Sequence, residues 1–258
     1  MAADYEPGRL VRIDAASGTV VADLQLGSCP TAVAVGFGSV WVADSSQGTV
    51  SRVDPTTNTC AGTVSVGENM MGLAVGASGV WVTDRSGDSV SMISPMSGEV
   101  VASFGVASGP HGIVVDGDRV WVAHMAAGPS SDQITEIDTR DGTVRRLDAH
   151  HTWGEIAAGF GSLWLADADH DGVRRVDPSD GGTEVVPVRR GPCSLVAGPR
   201  AVWVTCIYDQ TLIGIDSATS ATVDIAMPVG FSLAIASEDL WWVDYTFCTV
   251  SRIRGLKL

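Results

Sequence analysis

The sequence predicts an all-β fold, a six-bladed β-propeller of four-stranded antiparallel blades. Three observations predict it. A Trp-centred unit recurs six times at a nearly constant step, Gly and Pro punctuate the chain at short intervals, and helical spacing is sustained nowhere.

The first three units are Val40-Trp41-Val42-Ala43-Asp44, Val80-Trp81-Val82-Thr83-Asp84 and Val120-Trp121-Val122-Ala123-His124. The others are Leu163-Trp164-Leu165-Ala166-Asp167, Val202-Trp203-Val204-Thr205-Cys206 and Leu240-Trp241-Trp242-Val243-Asp244. The Trp positions step by 40, 40, 43, 39 and 38 residues. Ahead of each Trp runs a short, small-and-apolar strand such as 31–35, then a turn such as 36–39. After it come an alternating strand such as 50–54 and a fourth such as 61–66. Four short strands with tight turns in a repeat of roughly 40 residues make one propeller blade. The six Trp supply large apolar side chains to wedge between neighbouring sheets.

Counting strands gives six first, six second and six fourth strands but seven third strands, because both termini carry one, at 10–14 and 250–254. The expected resolution is a last blade closed by N- and C-terminal strands, with the strand at 19–26 joining the C-terminal ones. Such closure removes exposed sheet edges. The whole chain, 1–258, is expected to be one propeller domain.

Composition bounds the partners. A net charge of −14 argues against nucleic acid and against an anionic membrane surface, both of which require clustered Lys and Arg. No run of eighteen apolar residues is present, and the first residues lack a basic and an apolar signal region. Five cysteines, odd in number and without a CxxC pair, fit reduced thiols. The expectation is a cytoplasmic protein acting on a small molecule, a monomer or weak homo-oligomer.

Aligning the repeats on their Trp exposes the departures. Three residues beyond each Trp stand Asp44, Asp84, His124, Asp167, Cys206 and Asp244. Asp at a strand exit caps the following turn, so the Asp members are explained by local structure, with a substrate-contacting role as the alternative. At the start of the first strands stand Thr31, Met71, His111, Gly154, Cys193 and Phe231. Antiparallel neighbours place both sets at one end of the blades. One residue further in, Glu155 replaces residues that are small in every other repeat. A carboxylate at a crowded position is costly unless paired, hydrated or bound to a cation.

His111, His124 and Glu155 are therefore the candidate catalytic residues, as general acid and base near neutral pH or as ligands of a divalent cation. Met71, Trp153, Phe231 and Tyr245 are candidate apolar walls of a substrate site, with Asp44, Asp84, Asp167, Cys206 and Asp244 around it. His150 and His151 read as exposed loop residues, and 167–171 as a solvated turn that lacks the spacing of a calcium loop. No nucleophile-elbow motif supports a hydrolase.

The segment Gly109-Pro110-His111-Gly112-Ile113-Val114-Val115-Asp116-Gly117-Asp118-Arg119-Val120-Trp121 resembles the repeat of the virginiamycin B (streptogramin B) lyase-like propellers. The repeat pattern extends the resemblance over nearly the whole chain, with weaker kinship to NHL and gluconolactonase-like propellers. It implies a cytoplasmic bacterial propeller, and a magnesium-assisted elimination that opens a depsipeptide ring. His111 matches the family's channel His. The family's catalytic Glu falls on Met125 and its further His on Gly128, and the true lyases have seven blades. The expected function is thus a lyase, isomerase or cyclase in antibiotic resistance or natural-product metabolism, with a non-catalytic binding module as the alternative.

Overall fold

The computed structural model describes residues 2–4, 8–125, 133–149, 154–227, 230, 232–236, 238–244 and 249–255, without the side chains of 2–4 and 244. The first sheet holds β1 (Ala2–Asp4), β2 (Arg9–Ile13) and β3 (Val20–Gln25). The second holds β4 (Pro30–Gly36), β5 (Ser39–Asp44), β6 (Thr49–Asp54) and β7 (Thr59–Ser65), and the third β8 (Met70–Gly76), β9 (Gly79–Asp84), β10 (Ser89–Ile93) and β11 (Val100–Gly105). The fourth holds β12 (Pro110–Asp116), β13 (Arg119–His124), β14 (Gln133–Asp138) and β15 (Val144–Asp148). The fifth holds β16 (Ile156–Gly159), β17 (Ser162–Asp167), β18 (Gly172–Val176) and β19 (Thr183–Pro187). The sixth holds β20 (Pro192–Ala197), β21 (Ala201–Cys206), β22 (Thr211–Asp216) and β23 (Thr222–Ala226). The last holds β24 (Ser232–Ala236), β25 (Asp239–Asp244) and β26 (Thr249–Ile253).

The fold is an all-β propeller in which the six Trp repeats are six blades, strands following one another in chain order within each. The expected composition of the last blade is corrected. β3 does not join the C-terminal strands; it pairs with β2, with Leu24 opposite Leu10. The hairpin wins because it is local. The Asp14 amide donates to the Thr19 carbonyl at 2.9 Å and the Asp14 carboxylate accepts the Ser17 amide at 2.8 Å, so closing the turn costs little chain entropy. A seventh second strand, β1, lies in register with β2 through Ala3 opposite Leu10. It echoes Val42-Ala43-Asp44 without a Trp, which is why spacing alone missed it.

The chain divides into two compact units, Met1–Val122 with Thr135–Arg145 and Ala123–Ile134 with Arg146–Leu258. Each unit is held by Trp packing from one sheet onto the next. In the first, Trp41 packs with Met70, Val80 and Val82, and Trp81 with Val120, Val122 and Ile137. In the second, Trp164 packs with Leu195, Val202 and Val204, and Trp203 with Leu240 and Trp242. Truncating one such Trp to Ala costs about 3–5 kcal/mol.

Arginines opposite the Trp pin neighbouring sheets. Arg52 donates to Ser39 Oγ at 2.8 Å within its sheet and to the Pro95 carbonyl of the next sheet at 3.0 Å. Arg175 repeats this with Ser162 Oγ at 2.9 Å and the Ser217 carbonyl at 3.1 Å. Arg12 likewise reaches the Pro55 carbonyl at 2.5 Å. In the fourth sheet the polarity is reversed. Glu136 takes the place of these arginines, is only 1% exposed, and pairs with Arg119 and Arg145.

Candidate functional site

Asp44 and Asp84, at the ends of their second strands, are held by backbone amides, and Asp167 by side chains. Asp44 accepts the amides of Ser28 at 2.6 Å and Cys29 at 3.0 Å through Oδ2, and those of Ser46 at 3.0 Å and Gln47 at 2.9 Å through Oδ1. Burial pushes its carboxyl up, and these amides outweigh that and hold it below its ordinary value. Gly27, at φ +73°, leaves the room: a Cβ there would fall on the Asp44 carboxylate. Asp84 accepts the Gly87 amide at 2.9 Å. Asp167 is buried and pairs with Arg174 at 2.6 Å, while His170 Nδ1 lies 2.9 Å away. Residues 168–171 form the turn expected there, while Asp167 itself ends β17 and is buried.

The two members of this set that are not Asp are also buried. His124, the last residue of β13, lies in the second unit and is fully enclosed. Cys206 ends β21 inside the core cluster of Trp164, and burial pushes its thiol up to about 12.

The starts of the first strands are irregular. The pairing register shifts between Pro30 and Ala32, between Met70 and Leu73, and between Pro192 and Leu195. Bulges of this kind re-aim side chains next to functional sites. In the first unit, Thr83 Oγ1 accepts the Gly72 amide at 2.8 Å and donates to the His111 carbonyl at 3.0 Å, which holds the bulge carrying Met71. Met71 and His111 are both half-buried.

Glu155 stands in the second unit, half-buried, just ahead of β16. Burial alone pushes its carboxyl up to about 7. Its charge is felt by Cys193, whose thiol is raised to about 11, mainly by burial and then by Glu155. The contrast with Glu136 is informative. Glu136 is fixed by two arginines and serves the packing, whereas Glu155 has no ion pair among the described residues and is shifted by burial.

Asp244 ends β25, and its side chain is outside the described residues, as are Trp153, Phe231, Tyr245, His150, His151 and Gly128. Among the described residues no three of His, Cys, Asp and Glu converge to hold a metal ion. Met125, in the place of the lyases' Glu, brings no oxygen donor. The described side chains therefore do not fit a magnesium site. Sequence reasoning missed an open polar cleft of about 710 Å³ in the first unit, lined by Ser45, Ser46, Gln47, Ser65, Glu68 and Asn69 among others. The polar run Ser45-Ser46-Gln47-Gly48 that follows Asp44 lines it. The cleft contains none of the candidate site residues.

These features define a β-propeller whose blade ends are tied by turn-capping carboxylates, with one buried carboxyl in the neutral range. No protein-family model matches the chain, and no curated protein sequence matches it. Solved structures do. Hydrazine synthase of Kuenenia stuttgartiensis is similar at a TM-score of 0.75 and 17% identity, over 86% of this chain and 76% of that one. Virginiamycin B lyase from Staphylococcus aureus is similar at 0.72 and 17% identity, over 87% and 83%. BamB from Moraxella catarrhalis is similar at 0.69 and 14% identity, over 95% and 78%. At such identities the likeness shows the propeller fold, the one expected from the lyase-like repeat.

Proposed function

We propose that the protein is a small-molecule enzyme of lyase, isomerase or cyclase type in which Glu155 moves the proton. The observation that carries this reading is the Glu155 carboxyl, raised to about 7 by burial. A group with that value is populated in both protonation states near neutral pH, where general acid–base catalysis is most effective. Cys193 beside it stays a neutral thiol and adds no competing charge. His124, in the same compact unit, is the proposed partner, and Trp153, Phe231 and Tyr245 the proposed apolar walls. The fold likeness to virginiamycin B lyase supports a ring-opening or ring-forming reaction without attack by water. With Met125 in place of the family's Glu, the proposal does not extend to streptogramins themselves. A cytoplasmic setting, in antibiotic resistance or natural-product metabolism, completes the reading.

The test is incubation of the purified protein with a panel of lactones, cyclic depsipeptides and linear β-elimination substrates, read by mass spectrometry. An isomer of unchanged mass is expected from a cyclic substrate, or two products whose masses sum to the substrate's from a linear one, formed at least about a hundredfold more slowly by Glu155→Gln. Retention of full rate by Glu155→Gln overturns the assignment. A second reading, a non-catalytic binding propeller, is favoured by the engagement of Asp44, Asp84 and Asp167 in structural contacts. Under it Glu155→Gln leaves partner binding intact and no substrate turns over.

A further inference from the structure

At three junctions between successive sheets a carboxylate closes the loop that leads into the first strand. Asp88 Oδ1 accepts the Gly109 amide at 2.9 Å and Asp171 Oδ1 the Gly191 amide at 3.2 Å, each from a turn of the preceding sheet. Ahead of β4 the carboxylate comes instead from the sheet being entered, where Asp44 Oδ2 accepts the Cys29 amide at 3.0 Å. Asn69 holds the same place ahead of β8, and neither arrangement closes its loop. The residue aligned with Asp88 and Asp171 is Gly48, whose carbonyl accepts the Val66 amide at 2.9 Å just as the Asp88 carbonyl accepts that of Val106. Asp84, aligned with Asp44, accepts the Gly87 amide of its own turn and, among the described residues, no amide of the incoming loop. The Asn69 amide is left with the Ser45 carbonyl at 3.4 Å, beyond the usual limit of about 3.2 Å.

Gly48, which brings no carboxylate, and Asn69, whose amide would meet one, both line the polar cleft of about 710 Å³. We propose that this cleft binds a neutral polyhydroxylated ligand, a mono- or disaccharide, one of whose hydroxyl oxygens accepts from the Asn69 amide as a carboxylate does in the sister sheets. The walls carry matching chemistry. The side chains of Gln47, Ser65, Asn69 and Ser86 line the cleft and hydrogen-bond to no described residue, which leaves two carboxamides and two hydroxyls open to a ligand. A sugar hydroxyl donates and accepts at once, as walls that offer both require. Glu68 is exposed and is the one charged residue of the lining. A single carboxylate accepts from a hydroxyl, repels an anionic ligand and supplies too few oxygens for a divalent cation. The volume lies within the range of small-molecule sites, about 300–1,000 Å³.

The test uses the full chain, isotope-labelled for nuclear magnetic resonance, and a panel of glucose, galactose, mannose, N-acetylglucosamine, maltose and lactose. Saturable amide shifts centred on 45–48 and 65–69 are expected with at least one sugar. Glu68→Ala and Ser86→Trp are each expected to weaken binding at least about tenfold, the first by removing a charged acceptor and the second by filling the cleft. Both positions are exposed, so the variants fold, and an unchanged thermal transition checks it. Shifts that are absent with every sugar, that centre elsewhere, or that survive both substitutions overturn the proposal. So do shifts at these amides with malate or inorganic phosphate and none with sugar, which assign the cleft to an anion.

Discussion

Arg52 lies over the ring of Trp41, its guanidinium carbon 5.5 Å from the ring centroid. The same guanidinium crosses to the Pro95 carbonyl of the next sheet. One side chain thus joins a strand pair and a blade pair. Arg52→Ala is expected to cost about 2 kcal/mol, the sum of a partly shielded cation–π contact and a charged hydrogen bond. Arg52→Lys recovers only part of this, because an ammonium lacks the planar fork that serves both partners. Urea midpoints of the three proteins check the order.

Glu136 makes the opposite case. Arg119→Ala leaves its buried carboxylate half-compensated and is expected to cost about 3–5 kcal/mol. Adding Glu136→Met to that variant restores most of the loss, since a well-packed apolar side chain needs no partner. Full destabilisation in the double variant would show that the arginine contributes by packing instead.

For Asp44, the amides of Cys29, Gln47 and Ser28 hold the folded carboxyl below the ordinary 3.8 in spite of burial. The associated stability is present above that value and is lost as pH falls through the folded one. Asp44→Asn is expected to lower stability at neutral pH by about 1–3 kcal/mol. It should also reduce the further loss on acidification, as followed by thermal melting across the acid range.

Glu155 works in the other direction. Below about 4.5 the folded and unfolded chains are both protonated at this group. Between 4.5 and about 7 the unfolded chain releases a proton that the folded chain keeps, so stability falls as pH rises. Above about 7 the folded chain carries the buried charge and the loss levels off. Glu155→Gln is expected to flatten this slope, and parallel slopes in the two proteins would rule the shift out.

Thiol reactivity separates the cysteines. Cys60 is exposed, whereas burial raises Cys193 to about 11 and Cys206 to about 12. Iodoacetamide at neutral pH should label Cys60 and leave the other two unmodified until the chain is denatured, as peptide mapping would show.

The blades were legible because Trp41, Trp81, Trp121, Trp164 and Trp203 are buried in one packing role each time, and a repeated role leaves a repeated residue. β1 was not, because Ala2-Ala3-Asp4 carries no Trp. The pairing of β3 was misjudged for a related reason: strand patterns do not name their partners, and a tight turn at Asp14 decided it. At the site, the departures from the repeat, Glu155 among them, were visible as residues. Cys206 and Asp167 could not be sorted by residue type, since only the fold shows how deeply each is enclosed. The arginine pins were equally hidden, because their acceptors are carbonyls some forty residues away.

Those pins are unevenly distributed. Met92 faces Trp81 and Gly214 faces Trp203, so the third and sixth sheets have no guanidinium at that place to reach across to a neighbour. Pulled from its two ends, the chain is a row of links of unequal strength. The joints after these two sheets are expected to yield at lower force than those held by Arg12, Arg52 and Arg175, giving a staircase of rupture steps ordered by chemistry and not by distance from the handles.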